Sequence, residues 1–70
     1  MSIVAFNARR IIRESGYKQK AVAQKAGYTE KSFSNLLRGR KTIAEDDIAR
    51  LAVALNVTAN ELFATEDKAS

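Results

Sequence analysis

Gln19-Lys20-Ala21-Val22-Ala23-Gln24-Lys25-Ala26-Gly27-Tyr28-Thr29-Glu30-Lys31-Ser32-Phe33-Ser34-Asn35-Leu36-Leu37-Arg38 is the stretch that decides the fold. Val22 and Ala26 lie four residues apart and share one face of a short helix. Ala23 beside them is small enough for a second helix to cross closely. Gly27 falls where the chain must leave that helix through a left-handed conformation, which a side chain disfavours by roughly 1 kcal/mol. Thr29 is placed to cap a second helix by accepting a hydrogen bond from a free backbone N–H. In that helix Phe33, Leu36 and Leu37 form a buried stripe, and Glu30, Lys31, Ser34, Asn35 and Arg38 face outward.

On either side of this pair the apolar spacing predicts three more helices. The first covers residues 4–15, with Val4, Ala8, Ile11 and Ile12 on one face and Gly16 as its stop. Phe6 lies off that stripe and is expected to cover Leu62 or Phe63. Beyond Gly39, Arg40 and Lys41 form a basic loop, and Thr42-Ile43-Ala44-Glu45 fits a capping box for the fourth helix. Glu45, Asp46 and Asp47 then fall in its first turn, where the helix dipole favours negative charge. Ile48, Leu51, Ala52 and Leu55 face the core, and Asn56 supplies the left-handed stop. Thr58-Ala59-Asn60-Glu61 is a second capping box, opening a short last helix, and residues 65–70 make a polar tail. The expected architecture is an all-α, compact five-helix bundle forming one domain over residues 1–70.

Composition narrows the function. Cysteine and histidine are absent, which excludes a disulfide framework, a thiol nucleophile, imidazole catalysis and an ordinary zinc finger. No metal site, no cofactor and no catalytic set is expected, and the chain is not read as an enzyme. It carries neither a charged-then-apolar leader nor a long apolar run, so a cytosolic protein without a membrane partner is expected. The net charge of +4 is unevenly placed. Residues 9–41 hold ten basic side chains against two acids, whereas residues 42–70 hold two against six. A basic half centred on the decisive stretch points to a polyanion.

The same residues resemble the helix-turn-helix of the phage repressor and Cro family. Gln19, Ala23, Gly27, Phe33 and Leu36 stand where that family's motif has its characteristic residues, and Tyr17 stands at its apolar position ahead of the first motif helix. Leu51-Ala52-Val53-Ala54-Leu55-Asn56-Val57 and Glu61-Leu62-Phe63 are similar to its last two helices, so the likeness runs over residues 4–63. Two positions depart from it. Lys18 replaces the frequent serine or threonine cap, and Phe33 is bulkier than the usual valine or isoleucine.

What the resemblance implies is a sequence-specific regulator of transcription, most simply a repressor, that binds double-stranded DNA as a homodimer with the start of the second motif helix in the major groove. On that basis Thr29, Glu30, Lys31, Ser34 and Asn35 are the candidates for base edges. Lys31 suits the guanine O6 and N7 acceptors, and Asn35 suits adenine N6 and N7. Glu30 has two readings: accepting from a cytosine amino group, or orienting Gln19 or Lys31. Gln19, Lys20, Arg38, Arg40 and Lys41 are the phosphate candidates. Arg9, Arg10 and Arg13 have the plainer role of offsetting Glu14. Leu62 and Phe63 are candidates for either the core or a dimer interface. The alternatives are an antitoxin, a restriction-modification controller sharing this domain, or a protein-interaction module; the last is disfavoured because interface cores deplete lysine.

Overall fold

The computed structural model describes residues 2–65 and contains α1 (Ile3–Ser15), α2 (Gln19–Ala26), α3 (Glu30–Leu37), α4 (Glu45–Leu55) and α5 (Ala59–Phe63). The all-α, five-helix expectation holds. The expected polar tail lies outside the described residues from position 66 onward.

Helix starts follow local side-chain chemistry. The Ser2 hydroxyl accepts from the N–H groups of Val4 at 3.1 Å and Ala5 at 3.4 Å, so α1 begins one residue earlier than its apolar spacing suggests. Thr29 Oγ1 accepts from Ser32 N–H at 3.1 Å and Thr58 Oγ1 from Glu61 N–H at 3.2 Å, opening α3 and α5. Lys18 precedes α2 without a side-chain cap. The start of α4 corrects the expected box at Thr42-Ile43-Ala44-Glu45. The cap residue is Ala44, and the Asp47 carboxylate accepts from its N–H at 2.9 Å. Alanine has no oxygen to contribute, so the carboxylate three residues on carries the cap by itself.

The four longer helices leave by one hydrogen-bond pattern. An N–H just past each helix returns to the carbonyl five residues back: Tyr17 to Ile12, Tyr28 to Ala23, Arg40 to Asn35 and Val57 to Ala52, at 2.9–3.2 Å. The pattern demands one left-handed residue per exit. Asn56 takes that place at φ 59° without glycine, which asparagine tolerates better than other side chains. Gly27 takes it at φ 86°, which turns the chain sharply between α2 and α3.

Phe33, Leu36, Leu51, Leu55 and Leu62 form the fully buried centre, joined by Val4, Ala8 and Ile12 from α1 and Val22, Ala23 and Ala26 from α2. Each large side chain stabilises the fold by about 1.5–3 kcal/mol relative to exposure. Ala23, 1% exposed, is where α2 lets its neighbour approach. The bulk of Phe33 is accommodated in full. Leu62 is 0% exposed and its neighbour Phe63 49%, which corrects the pairing of the two as interface candidates. Leu62 is consumed by the core of its own chain and has no surface to offer a partner. Phe6, expected as cover, is itself 36% exposed.

One buried polar side chain fastens the two ends of the fold. Asn7, 2% exposed, donates from Nδ2 to the carbonyls of Leu62 at 2.7 Å and Ala64 at 2.8 Å, satisfying the exit of α5. Asn7→Ala should therefore destabilise the fold by about 1–3 kcal/mol, because a buried carbonyl loses its donor. Urea unfolding measures it; a variant with the parent's midpoint would mean that water replaces the amide at no cost.

Candidate nucleic-acid interface

The α2–Gly27–α3 unit presents its second helix outward because the first is held from beneath. Val22, Ala23 and Ala26 of α2, and Phe33, Leu36 and Leu37 of α3, all point into the core. On α3 the opposite stripe is Lys31 and Asn35, continued by the cap residue Arg38 at spacings of four and three, with Ser34 alongside. Lys31 and Arg38 are exposed; Ser34 and Asn35 are half-buried. Thr29 and Glu30 are exposed at its first turn, where N–H groups not bonded within the helix and the positive end of the dipole also lie. The structure thus gathers the five base-reading candidates onto one helix and its cap.

The phosphate candidates precede and follow that helix along the chain. Gln19 and Lys20 are exposed at the start of α2, whose own first-turn N–H groups have no side-chain cap from Lys18. Arg38, Arg40 and Lys41 are exposed in the α3–α4 connection. That loop is fixed rather than free, since Gly39 N–H donates to the Leu36 carbonyl at 3.2 Å and Arg40 N–H to that of Asn35 at 2.9 Å. Arg10 bonds Glu14 at 3.1 Å on the α1 surface, in keeping with its plainer role; such an exposed pair adds only about 0.3–0.5 kcal/mol.

A polar cluster behind the interface escapes sequence reasoning. Tyr28, in the α2–α3 turn, donates its hydroxyl proton to Asp47 Oδ1, while Asp47 Oδ2 accepts from Ala44 N–H. The Tyr28 ring stacks on Phe33 with centroids 5.7 Å apart. Lys41 Nζ and the Arg50 guanidinium lie 5.8 and 5.5 Å from its centre, within cation–π range. Burial, then the hydrogen bond to Asp47, pushes the Tyr28 phenol up to about 12. The Tyr28 hydroxyl, then the Ala44 N–H, holds the Asp47 carboxyl below its ordinary 3.8, against the opposing effect of burial.

The signs give opposite pH windows. The stabilisation from neutral Tyr28 is complete below pH 10.0 and disappears as pH rises toward about 12. That from ionised Asp47 is complete above pH 3.8 and disappears as pH falls through its lower folded value. Asp47→Asn should melt lower than the parent at neutral pH, by about 1–3 kcal/mol of stability for weakened bonds to a charged acceptor. The difference should close in acid. Thermal melts across an acidic pH series test this, and a gap that persists well below pH 3.8 would contradict the role given to the carboxylate.

An all-helical fold with an exposed helix set on a glycine turn, and cations before and after it along the chain, defines the class of helix-turn-helix proteins. Residues 7–64 match the family described as "Helix-turn-helix domain", and the chain belongs to that family. It is 33% identical over 66 residues to an uncharacterized HTH-type transcriptional regulator, y4dJ, of Sinorhizobium fredii, covering 94% of this chain and 86% of that protein. Its fold is similar to the crystal structure of a hypothetical transcription factor, NHTF, from Neisseria, with a TM-score of 0.84 and 28% identity over 96% of this chain and 77% of that one. The family and fold are those of DNA-binding transcription factors, not of enzymes. Among the described residues no helix is long and apolar enough to cross a membrane.

Proposed function

We propose that this protein is a sequence-specific transcriptional regulator of the phage-repressor type, acting in the cytoplasm by occupying a palindromic operator as a homodimer. The observation that carries the reading is the outward stripe of Lys31, Asn35 and Arg38 on a helix whose other face is locked in the core, with the basic loop of Arg40 and Lys41 at its end. In this reading Thr29, Glu30, Lys31, Ser34 and Asn35 meet base edges in the major groove, and Gln19, Lys20, Arg38, Arg40 and Lys41 hold the phosphates on either side. Repression follows from occupancy, by excluding polymerase from the operator.

One copy covers about half a site, and dimers of this type set their recognition helices about 34 Å apart, one turn of DNA. Ile3 at 39%, Phe6 at 36% and Phe63 at 49% exposure supply apolar surface on α1 and α5 for a modest interface. A weak dimer in solution that DNA holds together is the consequence. Selection of bound duplexes from a random pool tests the reading: a short palindrome with half-sites one turn apart is expected, and absence of any enriched sequence would overturn it.

A further inference from the structure

The α3–α4 connection is pinned at both ends. At one end Arg40 N–H is bonded to the Asn35 carbonyl at 2.9 Å; at the other, Ala44 N–H is bonded to Asp47 at 2.9 Å. Asp47 does more than cap α4, because its second oxygen takes the hydroxyl of Tyr28 from the turn between α2 and α3. A single carboxylate, 7% exposed, therefore joins the turn that aims the recognition helix to the segment that carries Arg40 and Lys41. Lys41 lies over the ring of the same tyrosine. The link adds to the stability of the fold, but it is not the main anchor of either segment. Tyr28 already packs on Phe33, and α4 already buries Leu51 and Leu55.

We propose that Tyr28 and Asp47 are positioning residues for DNA binding: their hydrogen bond fixes the α3–α4 loop against the helix-turn-helix, so that Lys41 meets a phosphate in register with the bases read by α3. The proposal rests on the DNA-binding reading and adds to it the residues that set the spacing between base contact and backbone contact. A phosphate contact by a long, flexible lysine is costly in side-chain entropy, of the order of 2 kcal/mol for a rotamer-rich side chain. A loop held from both ends, with the lysine ammonium already restrained over an aromatic ring, removes part of that cost before the DNA arrives. Tyr28→Phe keeps the ring, its stacking and the cation–π contact and deletes only the bond to Asp47.

The test is a set of affinities, measured by fluorescence anisotropy on the duplex recovered by selection, for the parent, Tyr28→Phe, Lys41→Ala and the double variant. The same substitution is repeated in a Lys20→Ala background, and melting curves place every variant well below its unfolding transition during the assay. Tyr28→Phe should bind about five- to tenfold more weakly, a part of the lysine-ordering cost that the held loop otherwise removes. In the Lys41→Ala background the same change should cost almost nothing, since the group it positions is gone. In the Lys20→Ala background it should cost its full factor, because Lys20 belongs to α2 and not to the loop that the bond holds. Asp47→Asn should follow the same pattern. A purely structural pair would lower the melting temperature and leave the affinity of the folded protein untouched. Tyr28→Phe binding like the parent, or a loss that multiplies undiminished with Lys41→Ala, would overturn the proposal while the parent still binds its site. A parent that prefers no duplex would remove the DNA-binding reading itself, and the positioning role with it.

Discussion

Binding to duplex DNA should weaken by roughly 100- to 2,000-fold per protomer when salt rises from about 50 to about 200 mM, if each protomer neutralises about four to six phosphates. Lys20, Arg38, Arg40 and Lys41 are all exposed, and each phosphate they neutralise releases condensed counterion and adds about 0.9 to the slope of log K against log salt. The charge of the chain would add a field to those contacts, since ten of its twelve basic residues fall within residues 9–41. Titrating a labelled duplex at several salt concentrations gives the slope directly. A flat dependence would strip Lys20, Arg38, Arg40 and Lys41 of their phosphate role together, and Lys41→Ala should lower the slope by about one unit if that role is real.

Gly27→Val should damage the fold itself rather than the DNA contacts. Gly27 holds φ at 86°, and a Cβ built there meets nothing within 4 Å, so no clash contributes and the whole effect is conformational. Left-handed backbone costs an ordinary residue about 1–2 kcal/mol, and a β-branched one more. For a domain of this size 2 kcal/mol lowers the melting temperature by roughly 8–16 °C. Gly27→Ala should fall nearer the lower end, because alanine has no branched Cβ. Melting curves of the two variants would separate the contributions; a valine variant that melts like the parent would mean that the turn relaxes to a different geometry at no cost.

The architecture is legible in the sequence because its signals are local. Helix periodicity, the Thr29 and Thr58 caps, and the left-handed stops at Gly27 and Asn56 each act within a single turn of chain, and all appear in the fold as expected. The outward stripe on α3 follows from the same periodicity, so the spacing of Lys31, Asn35 and Arg38 is enough to place them on one face. Non-local contacts leave no such trace. Tyr28 and Asp47 are nineteen residues apart, and nothing near either one marks it as the other's partner. Asn7 bonds a carbonyl fifty-five residues away, and in sequence it is one polar residue beside the apolar stripe of Val4 and Ile11. The start of α4 is misleading in sequence because Thr42 has the cap hydroxyl that Ala44 lacks, while the operative group, the Asp47 carboxylate, sits three residues beyond the cap. Leu62 and Phe63 are adjacent apolar residues, and only the packing of α5 on α1 and α4 separates the buried one from the exposed one.

The central claim is that α3 reads bases while its surroundings hold the backbone, and Asn35 tests it most directly. Asn35 sits in the middle of the outward stripe and can pair with both adenine N6 and N7, an arrangement worth about 1–3 kcal/mol of discrimination against a wrong base. Asn35→Ala should therefore lose roughly 5- to 150-fold in affinity for the selected duplex, barely change on a random duplex, and relax the preference at one base pair in each half-site. Measured side by side on the two duplexes, that divergence is the predicted result. Equal losses on both would contradict the account, because they would mean that Asn35 holds the DNA without reading it.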